Sequence, residues 1–145
     1  MTMTPRPLIT AVLALAVLGV VATTASAQDK ETARVAGTYK ATFDQVANSC
    51  SGVGMNLSSA TVEVTQSGRR VTVTIPSVPI MKGTATKAGK FRATVKRGKT
   101  AIEGVDGRFS VAGRVEKGEI QFLFIAEYFR GKRPLCTQSW NATGK

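Results

Sequence analysis

Histidine is missing from all 145 residues, and cysteine occurs only twice. Without imidazole there is no Ser-His-Asp or Cys-His catalysis, no imidazole-ligated metal and no histidine-based pH switch. Two cysteines lacking the C-x-x-C spacing make a poor metal site and a poor redox pair. Acids are scarce too: nine Asp+Glu stand against 20 Lys+Arg, for a formal charge of +11. No carboxylate pair stands out to replace the missing imidazole. Glu116 and Glu119 flank a tight turn, Glu103 and Asp106 lie in a Gly-rich connection, and Glu127 is the one acid set among apolar residues. For Glu127, an ion pair with Arg130 or Lys40 is the simpler account. The chain is therefore read as non-enzymatic, with no cofactor and no metal.

The hydrophobic fraction is 43%, too high for a charge-extended disordered chain, and the length suits one domain. Leu8 to Val21 is an apolar run broken only by Thr10 and Gly19, preceded by Arg6 and followed by Ala25-Ser26-Ala27. That is the layout of a cleaved secretory signal peptide over residues 1–27, and the run is short for a membrane span. Residues 28–145 are then a single domain, with no transmembrane span after cleavage and a periplasmic or secreted location. Losing Arg6 lowers the formal charge from +11 to +10. In an oxidising compartment Cys50 and Cys136 are expected to pair, which ties an early loop to the last strand.

Alternation, not helical period, dominates the rest of the chain. Tyr39, Ala41 and Phe43 face one way; Thr38, Lys40 and Thr42 face the other. Val62 and Val64 alternate with Glu63 and Thr65, and after Gln66-Ser67-Gly68-Arg69 the pattern resumes at Val71, Val73 and Ile75. That is a hairpin, ended by Pro76 and Pro79. Further strands are read over Met81–Lys87, around Phe91, over Arg108–Arg114, over Glu119–Phe129 and over Cys136–Thr143. Leu123 and Ile125 lie on the second side of the Glu119–Phe129 strand, which implies cover on both faces. The outcome is an all-β fold of about eight short strands: an antiparallel up-and-down β-barrel, with a two-sheet β-sandwich as the alternative. Strands of 5–8 residues with Lys, Arg and Thr outside do not suit a membrane barrel.

Gly37-Thr38-Tyr39, opening the first strand, resembles the G-x-W start of lipocalin-type barrels, with Tyr in the place of Trp. The hairpin series and the cysteine reaching back from the last strand are similar to small exported lipocalin-like and avidin-like (calycin-type) barrels. The resemblance implies an eight-stranded cup able to hold a small ligand. It carries over no binding residue.

Three sets of residues are candidates for function. Tyr39, Phe43, Phe91, Phe109, Phe122, Phe124 and Trp140 point inward by alternation, where they line a cavity for a small apolar ligand or fill the interior as core. Met55, Leu57, Ile80 and Met81 lie in loops that form a mouth or lid, or else plug the barrel end. Nine cations fall between residues 64 and 102 with no acid among them: Arg69, Arg70, Lys82, Lys87, Lys90, Arg92, Lys96, Arg97 and Lys99. Their strip is either a solvated face or a surface for anionic lipid headgroups or acidic polysaccharide. Nucleic acid is disfavoured, because Phe91 is the only aromatic in the stretch. The leading function is non-enzymatic binding of a small apolar or amphipathic molecule, or of an anionic envelope component. The alternative is a structural or protein-interaction module, such as an envelope-associated factor or an inhibitor of a secreted protein. Oligomeric state leaves no signal in the sequence.

Overall fold

The computed structural model describes residues 34–145, so the expected signal peptide at 1–27 lies outside the described residues. Eight strands follow in order: β1 (Gly37–Asn48), β2 (Ser59–Ser67), β3 (Arg70–Thr74), β4 (Met81–Ala85), β5 (Lys90–Lys99), β6 (Asp106–Glu116), β7 (Glu119–Arg130) and β8 (Arg133–Gly144). Each strand pairs antiparallel with the next, and β8 returns to β1 through pairs such as Phe43 with Ala142. One sheet closes on itself as a barrel, which decides against the two-sheet sandwich. Closure leaves no free sheet edge among these Thr/Val-rich strands. No helix occurs among the described residues.

Six of the eight strands run 9–12 residues rather than the expected 5–8. Strand length therefore does not set this barrel apart from membrane-spanning ones, but the sidedness does. Apolar side chains point in, and Thr, Lys and Arg occupy the outward positions where a membrane barrel carries its apolar band. The same sidedness corrects the reading of β7. Leu123 is 37% exposed and Ile125 only half-buried, so the second face of β7 is open rather than covered.

Inside, the aromatic rings meet one another. Phe122 stands edge-on to Phe43 and Phe91, with ring centres at 5.8 and 6.4 Å. Phe124 stacks on Trp140 at 5.4 Å and on Phe109 at 6.2 Å, and Phe109 meets Tyr128 edge-on at 6.1 Å. These spacings are those of touching rings, so six of the seven aromatics expected inside, all but Tyr39, pack on one another or on Tyr128.

Both ends are stoppered. At the end formed by the short turns, Val35 is fully buried; its N–H donates to Gln66 Oε1 and its carbonyl accepts the Tyr39 hydroxyl, each at 2.8 Å. At the opposite, loop end, Val78 and Val105 are buried, and Val53, Met55 and Leu57 pack half-buried on the core. The β1–β2 loop is fastened there by the Cys50–Cys136 disulfide and by Gln138. Gln138 is a buried amide whose Oε1 accepts the Met55 N–H at 2.9 Å and whose Nε2 donates to the Met55 carbonyl at 3.1 Å. No buried side-chain polar atom lacks a partner among the described residues.

Candidate functional site

Counting outward positions along the paired strands shows where the nine cations go. Arg70 on β3 sits opposite Thr84 on β4, and Thr84 opposite Arg92 on β5. Lys82 has Thr72 on one side and Thr94 on the other. Threonines therefore separate these cations by two strand spacings, about 10 Å, and moderate the repulsion that side-by-side placement implied. Arg69 and Lys87 lie in turns.

The strip does not stay whole. A β-bulge between Val95 and Gly98 takes Lys96 and Arg97 out of the regular ladder, and Lys99 follows at the loop end of β5. Arg97 is already committed. It pairs with Asp106 at 3.2 Å, lies over the Phe129 ring at 4.5 Å and donates to the Gly131 carbonyl. Glu127 likewise has a partner other than the ones expected. Arg108 opposite it on β6 holds its carboxylate by two hydrogen bonds of 2.7 and 3.0 Å, which draw the Glu127 pKa below its ordinary value. An exposed pair of this kind contributes little to stability.

The turn-end half of the strip forms a site. Lys90 on β5 is directly opposite Arg114 on β6, and Arg92 is opposite Ala112. Arg114 lies outside the acid-free stretch, and only strand register brings it in. Together Lys90, Arg92 and Arg114 rim an open groove of about 1010 Å³ on the outside of the barrel, across β4 to β8. Its polar lining is otherwise neutral, from Thr84, Thr86, Gln121, Asn141 and Thr143, and no acid lines it. Ala112 is its exposed apolar member, with Gly113 beside it, while the Phe91, Phe122 and Ala142 side chains border it from the interior and are 4%, 5% and 1% exposed. Among the described residues none of the three cations has an ion-pair partner.

Gly113 sets the close approach of β6 and β7 beside the groove. A Cβ at that position would lie 2.0 Å from the Gln121 carbonyl oxygen and 2.6 Å from the Phe122 Cα. Only glycine lets β7 press this closely against β6 there.

The remaining candidates are placed as follows. Tyr39, Phe43, Phe91, Phe109, Phe122, Phe124 and Trp140 all point inward and are buried. Burial pushes the Tyr39 hydroxyl pKa up. Met55 and Leu57 lie half-buried in the β1–β2 loop, while Ile80 is 54% exposed beside β4. Met81 is fully buried at the start of β4 and belongs to the interior, with no surface to offer as a rim. No group of three or more Cys, Asp or Glu side chains suited to a metal ion occurs among the described residues.

In chemical terms the groove has cations without counterions, with hydroxyl and amide groups and one exposed alanine between them. That set is chemically able to hold an anionic headgroup by charge-assisted hydrogen bonds. No family model matches the chain, and no curated protein or solved structure matches it.

Proposed function

We propose that this chain is a non-enzymatic binding protein of an exported, oxidising compartment, and that its ligand is an anionic amphiphile held on the outside of the barrel. The observation that carries the proposal is the groove rimmed by Lys90, Arg92 and Arg114 and free of acids. Two like charges placed opposite each other on neighbouring strands cost stability unless an anion bridges them. A carboxylate, phosphate or sulfate headgroup between Lys90 and Arg114 removes that repulsion and forms charge-assisted hydrogen bonds. The touching rings of the interior favour the outer face over an internal cup. The Cys50–Cys136 bond favours export. A buried Phe91 leaves the strip without an exposed ring for stacking on bases, which speaks against nucleic acid.

Calorimetric titration with octadecenoate, and with its neutral glycerol ester, tests the reading. The carboxylate binds and the ester binds far more weakly. A Lys90→Gln/Arg114→Gln double variant loses about ten- to a hundredfold in affinity, the range for charged hydrogen bonds. Equal binding of ester and carboxylate, or an unaffected double variant, overturns it.

A further inference from the structure

The loop end of the barrel carries a second unusual surface, built from side chains the groove does not use. The β5–β6 and β7–β8 hairpins stand side by side there, joined by the pairing of Asp106 with Phe129 and by the Arg97 side chain reaching the Gly131 carbonyl. Ile102 tips the first hairpin and Leu135 flanks the second, each 40% exposed. Leu135 faces outward by alternation with Cys136 and Gln138, and a shift in the β7–β8 register between Tyr128 and Phe129 leaves it unpaired.

The charge around these two residues is mainly positive. Lys99, Arg130, Lys132 and Arg133 surround them, and none has an ion-pair partner among the described residues. The one acid at the tips without an ion pair is Glu103, because Asp106 is taken by Arg97.

Part of the backbone of the Ile102 tip is also satisfied from within. The Thr100 hydroxyl donates to the Val105 carbonyl at 2.7 Å and accepts the Ile102 N–H at 3.2 Å, while the Val105 N–H donates to the Ile102 carbonyl at 3.1 Å. A loop that leaves water needs its own hydrogen bonds, because acyl chains supply none. Beneath it, Arg97 and Arg108 lie over the Phe129 ring at 4.5 and 5.3 Å and brace both hairpins.

We infer that the tips of the β5–β6 and β7–β8 hairpins form a docking surface for an anionic lipid bilayer, with Ile102 and Leu135 entering the headgroup region and Lys99, Arg130, Lys132 and Arg133 lying on the phosphates. Charge complementarity names this partner. A basic ring around protruding single apolar side chains suits a negatively charged, deformable surface. A protein partner calls instead for a contiguous apolar core with charge pushed to its rim. The inference is independent of the ligand proposed for the groove, which opens at the other end of the barrel.

Flotation with phosphatidylcholine vesicles, with and without phosphatidylglycerol, tests it near physiological salt. The protein floats only with the anionic vesicles. Each cation removed lowers partitioning about fivefold, so Lys132→Gln/Arg133→Gln loses roughly 25-fold. Ile102→Ser keeps every backbone bond of the loop and loses about tenfold. Lys90→Gln/Arg114→Gln leaves flotation unchanged, which separates this surface from the groove. The inference is overturned if the wild type ignores anionic vesicles, if the hairpin variants float like the wild type, or if the groove variant alone loses binding. Absence of flotation combined with concentration-dependent dimers in sedimentation would assign the same tips to a second copy of the chain.

Discussion

Replacing both cysteines, Cys50→Ala/Cys136→Ala, is the perturbation whose magnitude the structure defines best. The bond joins residues 86 positions apart, so it closes most of the domain into one loop. A cross-link over that separation removes chain entropy from the unfolded state worth about 4–5 kcal/mol in the loop-closure account. In the folded state little else changes. The Ser49 N–H still donates to the Thr137 carbonyl at 3.0 Å, and Gln138 still holds Met55 by two hydrogen bonds. The cost is therefore borne by the unfolded chain, and the native barrel keeps its register. Trp140 is the only tryptophan; it is 1% exposed and stacked on Phe124, so its emission reports loss of the core. In urea, with a slope of about 1–3 kcal/mol/M, the midpoint falls by roughly 1.5–4.5 M while the folded-state spectrum stays the same. A drop below about 1 kcal/mol would refute the reasoning, because it would mean that the unfolded chain already keeps Cys50 near Cys136.

Other substitutions probe the interior and the groove separately. Gly113→Ala drives a Cβ to within 2.0 Å of the Gln121 carbonyl and costs more than about 3 kcal/mol, read as the urea midpoint, together with loss of groove binding. Phe124→Ala empties a fully buried ring site between Phe109 and Trp140 and costs about 3–5 kcal/mol by the same assay. Arg114→Gln relieves the repulsion with Lys90 and raises stability by about 0.2–1 kcal/mol in the absence of ligand, while weakening headgroup binding. Burial raises the pKa of Tyr39 and Tyr128 above 10.0, so their contribution is fully present below pH 10 and is lost as pH rises from there through the folded-state values. Unfolding free energies measured on the alkaline side therefore decline, and Tyr39→Phe makes that decline shallower.

Period-two alternation carried the interior in detail. It sent Tyr39, Phe43, Phe91, Phe109, Phe122, Phe124 and Trp140 to one side, and the Gln66–Arg69 turn placed β2 against β3. What it could not carry is register between strands joined by longer connections. Lys90 meets Arg114 because the β5 bulge skips Lys96 and Arg97 and because the 100–105 loop is long enough to bring β6 back in phase. A slip of one residue would send every β6 side chain to the other face, and local pattern holds no record of a bulge. Glu127 makes the same point: Arg130 is close in sequence, yet the partner is Arg108, across the strand. Leu123 and Ile125 misled in the other direction. Their hydrophobicity implied cover, but the exterior of a barrel tolerates single apolar residues once the interior side is full.

The packing of the interior also decides where binding can evolve in such a barrel. Inward positions are bound to their neighbours by packing, so a change there costs several kcal/mol, as at Phe124. Outward positions answer to much smaller terms. A pair of like charges across two strands costs about 0.2–1 kcal/mol, a small part of the 5–15 kcal/mol that keeps a domain folded. A closed sheet with stoppered ends and a long-range disulfide can therefore hold Lys90 against Arg114, and crowd Lys132 and Arg133 at a hairpin tip, without losing its register. Seven of the 20 cations noted in the composition are, on this account, gathered in two places. One part rims a groove at the turn end and the other tips two hairpins at the loop end, so a ligand in the first leaves the second free to face a membrane.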